Sequence, residues 1–344
     1  MDKIIALQKK IAPEMSSIIL FRYRVLRSIY HLQPIGRRAL AEQLNDQERR
    51  VRNEVEFLRE HEWVTMGNQG MQVTPAGEAL LEELEEYTRQ LQGLTFLEEE
   101  IASLYGLGKV IVVTGDSDED EAVKKELARV TAAYLKSRLT CGAILAVTGG
   151  TTLAEVASAI HPADRRCEVT VVPARGGLGE EVEIQANTIA AAIAKGLGAS
   201  YRLLHVPDAL GPEALQTIQG EPKIKEVLAL LHRADIVLHG IGAAQEMARR
   251  RGMSPGEVAE IVAKGAAGEA FGYYFDIEGR VVYSTSSVGL QLEELPQIGE
   301  VIAVGGGRSK APAAAAVLAC KMQDVFITDE GLARELTRMS PSRQ

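Results

Sequence analysis

Several features that mark common protein classes are scarce in this sequence of 344 residues. The few cysteines, Cys141, Cys167 and Cys320, form no CxxC pair, so they indicate neither a disulfide framework nor a zinc site, and we expect buried reduced thiols. The longest apolar runs, such as Ala311 to Cys320, are far shorter than the roughly 18 to 20 residues of a membrane span. Lysines near the N-terminus interrupt the apolar stretch that a signal peptide needs. We therefore expect a cytoplasmic protein with no membrane partner.

The common nucleotide-binding motifs are missing as well. No segment matches G-x-x-x-x-G-K-[ST], and none matches G-x-G-x-x-G with an acidic residue about 20 positions later. The sequence therefore favours neither a nucleoside triphosphate nor a dinucleotide. We expect no cofactor and no bound metal.

The composition indicates a soluble globular chain long enough for two domains, with 46% hydrophobic and 25% charged residues. The net charge of −9 argues against nucleic acid, but the charge is unevenly distributed. Residues 1–75 hold 12 Lys and Arg against 9 Asp and Glu, and the remainder is strongly acidic. A basic N-terminal part thus precedes an acidic body.

The N-terminal part has the pattern of a winged helix-turn-helix, which we place at residues 1–76. Helical periodicity in SSIILFRYRVLRSIYHLQ is followed by PIGRRALAEQL and NDQERRVRNEVEFLREHEW. Pro34 is expected to open the second helix, and Asn45 with Glu48 fits a capping box for the third. The segment VTMGNQGMQVTP alternates around a GNQG turn, which predicts a hairpin.

The third helix carries the residues expected to read DNA. A helical wheel puts Val51, Val55 and Leu58 on one buried face. The opposite side and its flanks carry the candidate DNA-binding residues: Arg49, Arg50, Arg52 and Asn53. Arginine pairs with guanine or phosphate and asparagine with adenine, although a charged helix face can also be simply solvated.

Residues 77–105 predict a helical linker. Leu80, Leu84, Tyr87, Leu91 and Leu94 follow a 4-3-4-3 spacing, which is typical of a two-helix contact. The pattern leaves two alternatives open, self-association through this helix or packing onto the same chain.

Residues 106–344 alternate strand-like and helix-like segments. The strand candidates KVIVVTG, AILAVTGG, EVTVVPA, YRLLHVP, ADIVLHGIG and EVIAVGGG include β-branched runs typical of a buried parallel sheet. The sequence therefore predicts a doubly wound, Rossmann-like α/β domain, which binds ligands at the carboxyl ends of its strands.

Three glycine-rich segments follow predicted strands: TGGTTLAEV, PARGGLGEEVEIQAN and VGGGRSKAPAAAA. Glycines let the backbone approach an anion, and the N–H groups at a helix start favour negative charge. Thr152 and Glu155 can instead form a simple capping box. Lys310 precedes a helix start, where its charge opposes the helix dipole unless an anion is bound, and Arg175 follows its own strand in the same way. The loops predict a site for a small phosphorylated ligand.

Together these segments, with GAAGEAFGYYFD, resemble the SorC/DeoR-like sugar-responsive transcription regulators of bacteria over nearly the whole chain. The resemblance implies a homo-oligomeric repressor that binds operator DNA of a glycolytic operon and is relieved by a sugar-phosphate effector, with fructose 1,6-bisphosphate implied for the closest subgroup. It also implies a body related to sugar-phosphate isomerases.

The resemblance assigns roles to individual residues. It implies that the loop of Gly149 and Gly150, with Thr151, Thr152 and Lys310, holds one phosphate. The other phosphate and the sugar hydroxyls fall to a second group: Arg175, Gln185 and Arg250 for the phosphate, and Glu269 for the hydroxyls.

The competing hypothesis is a sugar-phosphate isomerase or deaminase with an accessory DNA-binding domain. Such chemistry needs a base near a substrate carbon, for which Glu269, Asp276 and Asp329 are candidates. The histidine that the deaminases carry after D-x-x-x-x-G-x-G has no counterpart here, and His239 fits a core position better. We therefore predict a regulator and not an enzyme. Non-specific nucleoid binding is also disfavoured by the small local positive charge.

Overall fold

The computed structural model describes residues 2–160, 168–176, 181–207 and 211–339. Cys167 and part of the second glycine-rich segment lie outside these residues. Cys141 is exposed and disulfide-bonded, so the expectation of a buried reduced thiol is wrong there, whereas Cys320 is free and half-buried. No helix in the described part of the chain is long and apolar enough to cross a bilayer.

The N-terminal part forms four helices and a β-hairpin: α1 (Asp2–Ile11), α2 (Pro13–Leu32), α3 (Arg37–Gln43), α4 (Glu48–Glu60), β1 (Val64–Gly67) and β2 (Gly70–Val73). Val51, Val55 and Leu58 of α4 are buried against Leu26 and Leu40 of α2 and α3. The antiparallel hairpin follows α4 directly and turns at the expected GNQG sequence. The predicted winged helix-turn-helix is confirmed, with α4 in the position of the recognition helix.

Two predicted helix starts in this part are wrong. Helix α3 begins at Arg37, so Pro34 lies before the helix and not in its first turn. Helix α4 begins at Glu48 after Gln47, and no side chain caps it. Asn45 instead adopts φ 48° in the turn between the two helices, a left-handed conformation that asparagine tolerates better than most residues.

The segment that follows forms helices α5 (Pro75–Gln92) and α6 (Leu94–Tyr105), separated by Gly93 at φ 69°. Leu80 packs on the core of the N-terminal part, whereas Leu94 and Ile101 are buried in the core of the body. The predicted heptad side chains thus pack onto their own chain at both ends of the segment.

The body centres on a parallel sheet of seven strands in the order β3-β13-β12-β7-β4-β5-β6. Its strands are β3 (Lys109–Val113), β4 (Ile144–Val147), β5 (Thr170–Pro173), β6 (Ser200–Tyr201), β7 (Ile236–Gly240), β12 (Glu300–Val304) and β13 (Val325–Asp329). The helices of the body are α7 (Glu121–Arg138), α8 (Thr151–Ala159), α9 (Ala186–Leu197), α10 (Pro212–Gly220), α11 (Pro222–Leu231), α12 (Ala244–Arg250), α13 (Pro255–Ala263), α14 (Ala311–Ala319) and α15 (Glu330–Met339). Two large apolar clusters cover the two faces of the sheet, which confirms the doubly wound α/β class.

A second sheet of the body has no counterpart among the predicted elements. It is antiparallel, with the order β11-β10-β9-β8, and comprises β8 (Gly242–Ala243), β9 (Ala266–Ala270), β10 (Tyr273–Asp276) and β11 (Val281–Ser284). Gly268 of β9 lies so close to the backbone of Ala313 in α14 that a β-carbon would clash. This close packing brings β9, and with it Glu269, toward the carboxyl edge of the parallel sheet.

Helix α2 of the N-terminal part docks on helix α7 of the body. The Nε2 atom of His31 lies 2.9 Å from a carboxylate oxygen of Glu126, and Lys125 donates to the carbonyl oxygen of His31 at 2.9 Å. Arg129 donates a 2.7 Å hydrogen bond to the same Glu126. Burial alone raises the pKa of Glu126, but hydrogen bonds from His31 and Arg129 outweigh it and lower this pKa to about 2. The docking contact therefore includes a buried, ionised carboxylate.

Candidate effector site and DNA-binding face

One cavity lies where the carboxyl ends of β4, β5 and β7 meet the antiparallel sheet. The space between its walls is about 730 Å³, a volume that includes open solvent at its mouth. Eight of the nine predicted effector residues line it: Gly149, Gly150, Thr151, Thr152, Arg175, Arg250, Glu269 and Lys310. The predicted ligand residues thus share one space at the edge of the sheet where α/β folds bind ligands.

The first glycine loop brings a helix N-terminus to the cavity. Helix α8 begins at Thr151, and its N-cap residue is Gly150, at φ 123°, so the predicted Thr152 capping box is wrong. A side chain on Gly149 would sit 2.6 Å from the carbonyl oxygen of Ile184, and the amide of Gly150 bonds to that same oxygen at 2.8 Å. The two glycines therefore let the chain turn tightly and leave the first amides of α8 facing the cavity.

Lys310 reaches the cavity from the third glycine loop. It ends a short turn, Arg308–Lys310, and is the N-cap residue of α14, which continues through Pro312 near its first turn. A cation in this position opposes the helix dipole. An anion bound in the cavity would offset that disadvantage, because Lys310 and the start of α8 both line the cavity.

Buried charges form the floor of the cavity. Arg175 and Arg251 have side chains only 6% exposed, and both face Glu269, at 4.0 Å and 2.7 Å. Glu269 also accepts a 2.6 Å hydrogen bond from the amide of Gly272, and the hydroxyl of Thr285 accepts a 3.2 Å bond from Arg251. Such a network holds the guanidinium groups in fixed positions, which suits the recognition of a planar or tetrahedral anion.

Two of the predicted effector residues, Arg250 and Gln185, are less closely associated with the cavity than the others. Arg250 lines the cavity, but its side chain is 33% exposed and pairs with Glu246 at 2.8 Å one helical turn earlier. Gln185 is not among the lining residues and serves as the N-cap residue of α9, directly before Ala186, which does line the cavity.

Arg251 was not among the residues predicted from the sequence. The run of three arginines from position 249 to 251 looks like a solvated helix end, and Arg249 is indeed exposed. Because α12 ends at Arg250, the next residue leaves the helix at φ −82° and its side chain turns into the core. The only signal in the sequence was Gly252, which marks the helix end.

The candidate bases of the enzymatic hypothesis lie elsewhere, apart from Glu269. Asp276 pairs with Arg280 at 2.8 Å, and Asp329 accepts the amides of Ser117 and Gly307. Neither aspartate is among the residues that line the cavity. His239 is fully buried beside Phe271, and burial lowers its pKa to about 4, as expected for a core histidine.

The DNA-binding candidates lie on the outer face of α4, where Arg49, Arg50, Arg52 and Asn53 are all exposed. Arg50 pairs with Asp46 at 2.9 Å and lies 3.8 Å above the ring of Phe21. Arg52 pairs with Glu48 at 3.3 Å, so both arginines are held near the helix start.

Comparison with known proteins covers both parts of the chain. A model of the CggR N-terminal DNA binding domain matches residues 18–88, and the Sugar-bind model of a sugar-binding domain matches residues 89–338. The central glycolytic genes regulator of Priestia megaterium is 46% identical over 98% of this chain and 99% of the relative, and that of Bacillus subtilis is 42% identical over 98% and 99%. The chain belongs to the family of central glycolytic genes regulators.

Solved structures agree with this family assignment. A SorC family transcriptional regulator from Enterococcus faecalis is 41% identical, covers 70% of this chain and 99% of its own, and superposes with a TM-score of 0.66. The full-length sorbitol operon regulator SorC from Klebsiella pneumoniae covers 92% of this chain and 98% of its own at a TM-score of 0.68. Its 20% identity establishes the shared fold alone.

Family membership also decides between the two functional hypotheses. The relatives are transcription regulators, so the chain is a regulator with a DNA-binding domain and a sugar-binding domain and not an enzyme. The isomerase or deaminase alternative is thereby set aside.

Proposed function

We propose that this regulator represses a glycolytic operon in the cytoplasm by binding its operator as a homo-oligomer, and that fructose 1,6-bisphosphate relieves the repression. In this proposal residues 1–76 bind DNA, residues 77–105 link the two parts, and residues 106–344 bind the effector and carry the oligomer contacts. A ligand shifts the balance between forms of high and low operator affinity only if it binds them unequally.

The observation that carries the proposal is the placement of cationic groups around one cavity. At one side the start of α8 and Lys310 suit one phosphate. Arg175 and Arg250, which line the same cavity, suit a second phosphate. We assign Glu269 to the sugar hydroxyls, and Gln185 to the second phosphate through a change of its side-chain conformation. Two separate cationic ends favour a bisphosphate over a monophosphate.

The operator-binding face is α4. We propose that Arg49 and Asn53 contact base edges in the major groove, while Arg50 and Arg52 contact phosphates on either side. Because operators read by a helix-turn-helix have paired half-sites, the active form requires at least two copies of α4.

Calorimetric titration tests the effector. We expect fructose 1,6-bisphosphate to bind more tightly than fructose 6-phosphate or inorganic phosphate. Arg250→Gln should weaken bisphosphate binding about tenfold or more, because a hydrogen bond to a charged group is worth about 1.5–3 kcal/mol. Arg249→Gln is the matched control, since the neighbouring arginine is exposed and is not a lining residue. Equal affinity for all three ligands would refute the assignment.

Mobility shifts on an operator fragment test the regulatory cycle. The wild-type chain should retard the promoter fragment of a glycolytic operon, and fructose 1,6-bisphosphate should reduce that retardation. Lys310→Gln should retard the fragment normally but respond only at higher ligand concentration. No specific retardation of any such promoter would refute the proposed repressor.

A further inference from the structure

One short loop contacts both the turn that carries Lys310 and the DNA-binding part. It comprises residues 114–120, with the sequence TGDSDED, and follows β3 at the carboxyl edge of the parallel sheet. We call this segment the acidic loop. Two of its four acidic residues are buried, since Asp116 and Asp120 are 7% and 3% exposed. Neither the glycine motifs nor the recognition helix accounts for this burial.

Toward the cavity, the acidic loop holds the turn that carries Lys310. Asp116 accepts the amide of Arg308 at 3.2 Å, and Asp118 accepts the amide of Ser309 at 2.7 Å. Ser117 and Gly307 share one carboxylate oxygen of Asp329, which ties the two loops together a second time. The turn at 308–310 therefore cannot shift without breaking these bonds or moving the acidic loop.

On the side of the DNA-binding part, the acidic loop contacts α2. Arg27 donates to the carbonyl oxygen of Thr114 at 2.7 Å and lies 3.6 Å from a carboxylate oxygen of Asp120. Arg24 lies 3.5 Å from that same oxygen. Asp120 and Arg27 are both only 3% exposed, so these charges interact away from solvent screening.

Arg24 extends the contact to the helix-turn-helix itself. Another nitrogen of its guanidinium group donates at 2.8 Å to the carbonyl oxygen of Leu44, the C-cap residue of α3. The turn to α4 follows directly. Arg50 of α4 also lines the cleft between α2 and the acidic loop, together with Asp116 and Glu119.

We propose that the acidic loop transmits effector binding to the DNA-binding part. This inference rests on the proposed function. In this proposal a phosphate bound at Lys310 displaces the turn at 308–310. The acidic loop moves with the turn, because Asp116 and Asp118 are hydrogen-bonded to it. The ion pairs of Asp120 with Arg24 and Arg27 then change. Helix α2 thus takes one position with the ligand and another without it, and α4 reaches its half-site more easily in one of them. Allostery requires two such states that the ligand binds unequally.

Asp120→Asn tests the link while keeping the cap of α7. Asp120 is the N-cap residue of α7 and accepts the amide of Ala122, a role that asparagine fills equally well. The substitution removes only the charge that faces Arg24 and Arg27. Glu121→Gln is the matched control, because it removes the same charge one residue later, where the side chain pairs with Lys124 near the surface.

The readout is the ratio of operator affinities without and with fructose 1,6-bisphosphate. Coupling factors in allosteric proteins are typically about 5-fold to 150-fold. We expect this ratio to fall below about 2 in Asp120→Asn and in Arg24→Gln. The double variant should have the same ratio as either single variant. Glu121→Gln should keep the wild-type ratio, and all variants should bind the bisphosphate with wild-type affinity.

Hydrogen exchange of the full chain without DNA gives an independent measurement. Adding fructose 1,6-bisphosphate should change the protection of the amides between residues 24 and 31 in the wild type and in Glu121→Gln, but not in Asp120→Asn. If fructose 1,6-bisphosphate changes neither the operator affinity nor the amide protection of the wild-type chain, the proposed function is refuted, and the link with it. A wild type and an Asp120→Asn variant that respond equally would refute the link alone.

Discussion

The contact between His31, Glu126 and Arg129 leads to a prediction that can be worked through in numbers. Glu126 is 7% exposed, and its pKa is lowered from 4.5 to about 2. A shift of this size corresponds to about 3 kcal/mol in the free energy of unfolding. Arg129 is 43% exposed, so solvent screens its share. We therefore expect Glu126→Gln to destabilise the protein by about 2–3 kcal/mol at pH 7.

The pH dependence of this difference follows from the direction of the shift. A carboxylate whose pKa is lower in the folded state contributes its full stability above the unfolded pKa and loses it as the pH falls through the folded pKa. The gap between wild type and Glu126→Gln should therefore be complete above about pH 5, fall to less than half by about pH 3, and vanish below about pH 2.

Urea unfolding followed by tryptophan fluorescence measures the effect. Trp63 is the single tryptophan and lies just after α4, so its signal reports on the N-terminal part that Glu126 helps to hold. Glu121→Gln on the same helix is the control and should change the unfolding free energy by less than about 0.5 kcal/mol. A Glu126→Gln effect below that value at pH 7, or a gap that stays constant between pH 7 and pH 3, would refute the reasoning.

Two further predictions concern the cavity and the recognition helix. Gly149→Ala should sharply weaken bisphosphate binding in calorimetry, because the new β-carbon would press on the carbonyl oxygen of Ile184, whereas Gly256→Ala in α13 has open space and should leave binding unchanged. Arg49→Ala should lower affinity for the operator by about 1–3 kcal/mol and relax base preference at one position, while Arg52→Ala should weaken binding to all sequences and reduce the salt dependence. Fluorescence anisotropy with operator and scrambled DNA at several salt concentrations separates these outcomes, and equal losses on both DNAs for Arg49→Ala would contradict the base contact.

Local patterns explain why much of the fold was predictable from sequence. The buried strands β4, β7 and β12 are mostly apolar, and each has a glycine at its end or within two residues after it, so their type and their ligand-facing ends could be predicted together. Helix starts were less predictable. A capping box needs the threonine outside the helix, but Gly150 takes that position and places Thr151 and Thr152 inside α8.

The missed features depend on contacts between distant parts of the chain. Strands β9 and β10 are short, and Glu269 of β9 is buried because it pairs with Arg175 and Arg251, which come from distant parts of the chain. Arg251 was indistinguishable from its neighbours until the end of α12 was known. The acidic loop resembles any charged surface turn, and only the docking of α2 shows that Asp120 is buried.

The pairing of β3 with β13 has a consequence for synthesis of the protein. In the part of the chain that the structure describes, strand β3 lies at the edge of the sheet and pairs with β13, which is synthesised long after it. Asp329 at the end of β13 also holds Ser117 of the acidic loop. Until β13 is made, the acidic loop therefore lacks the carboxylate of Asp329 that holds Ser117. Truncation before β13 should release a DNA-binding part that is folded but detached from effector control.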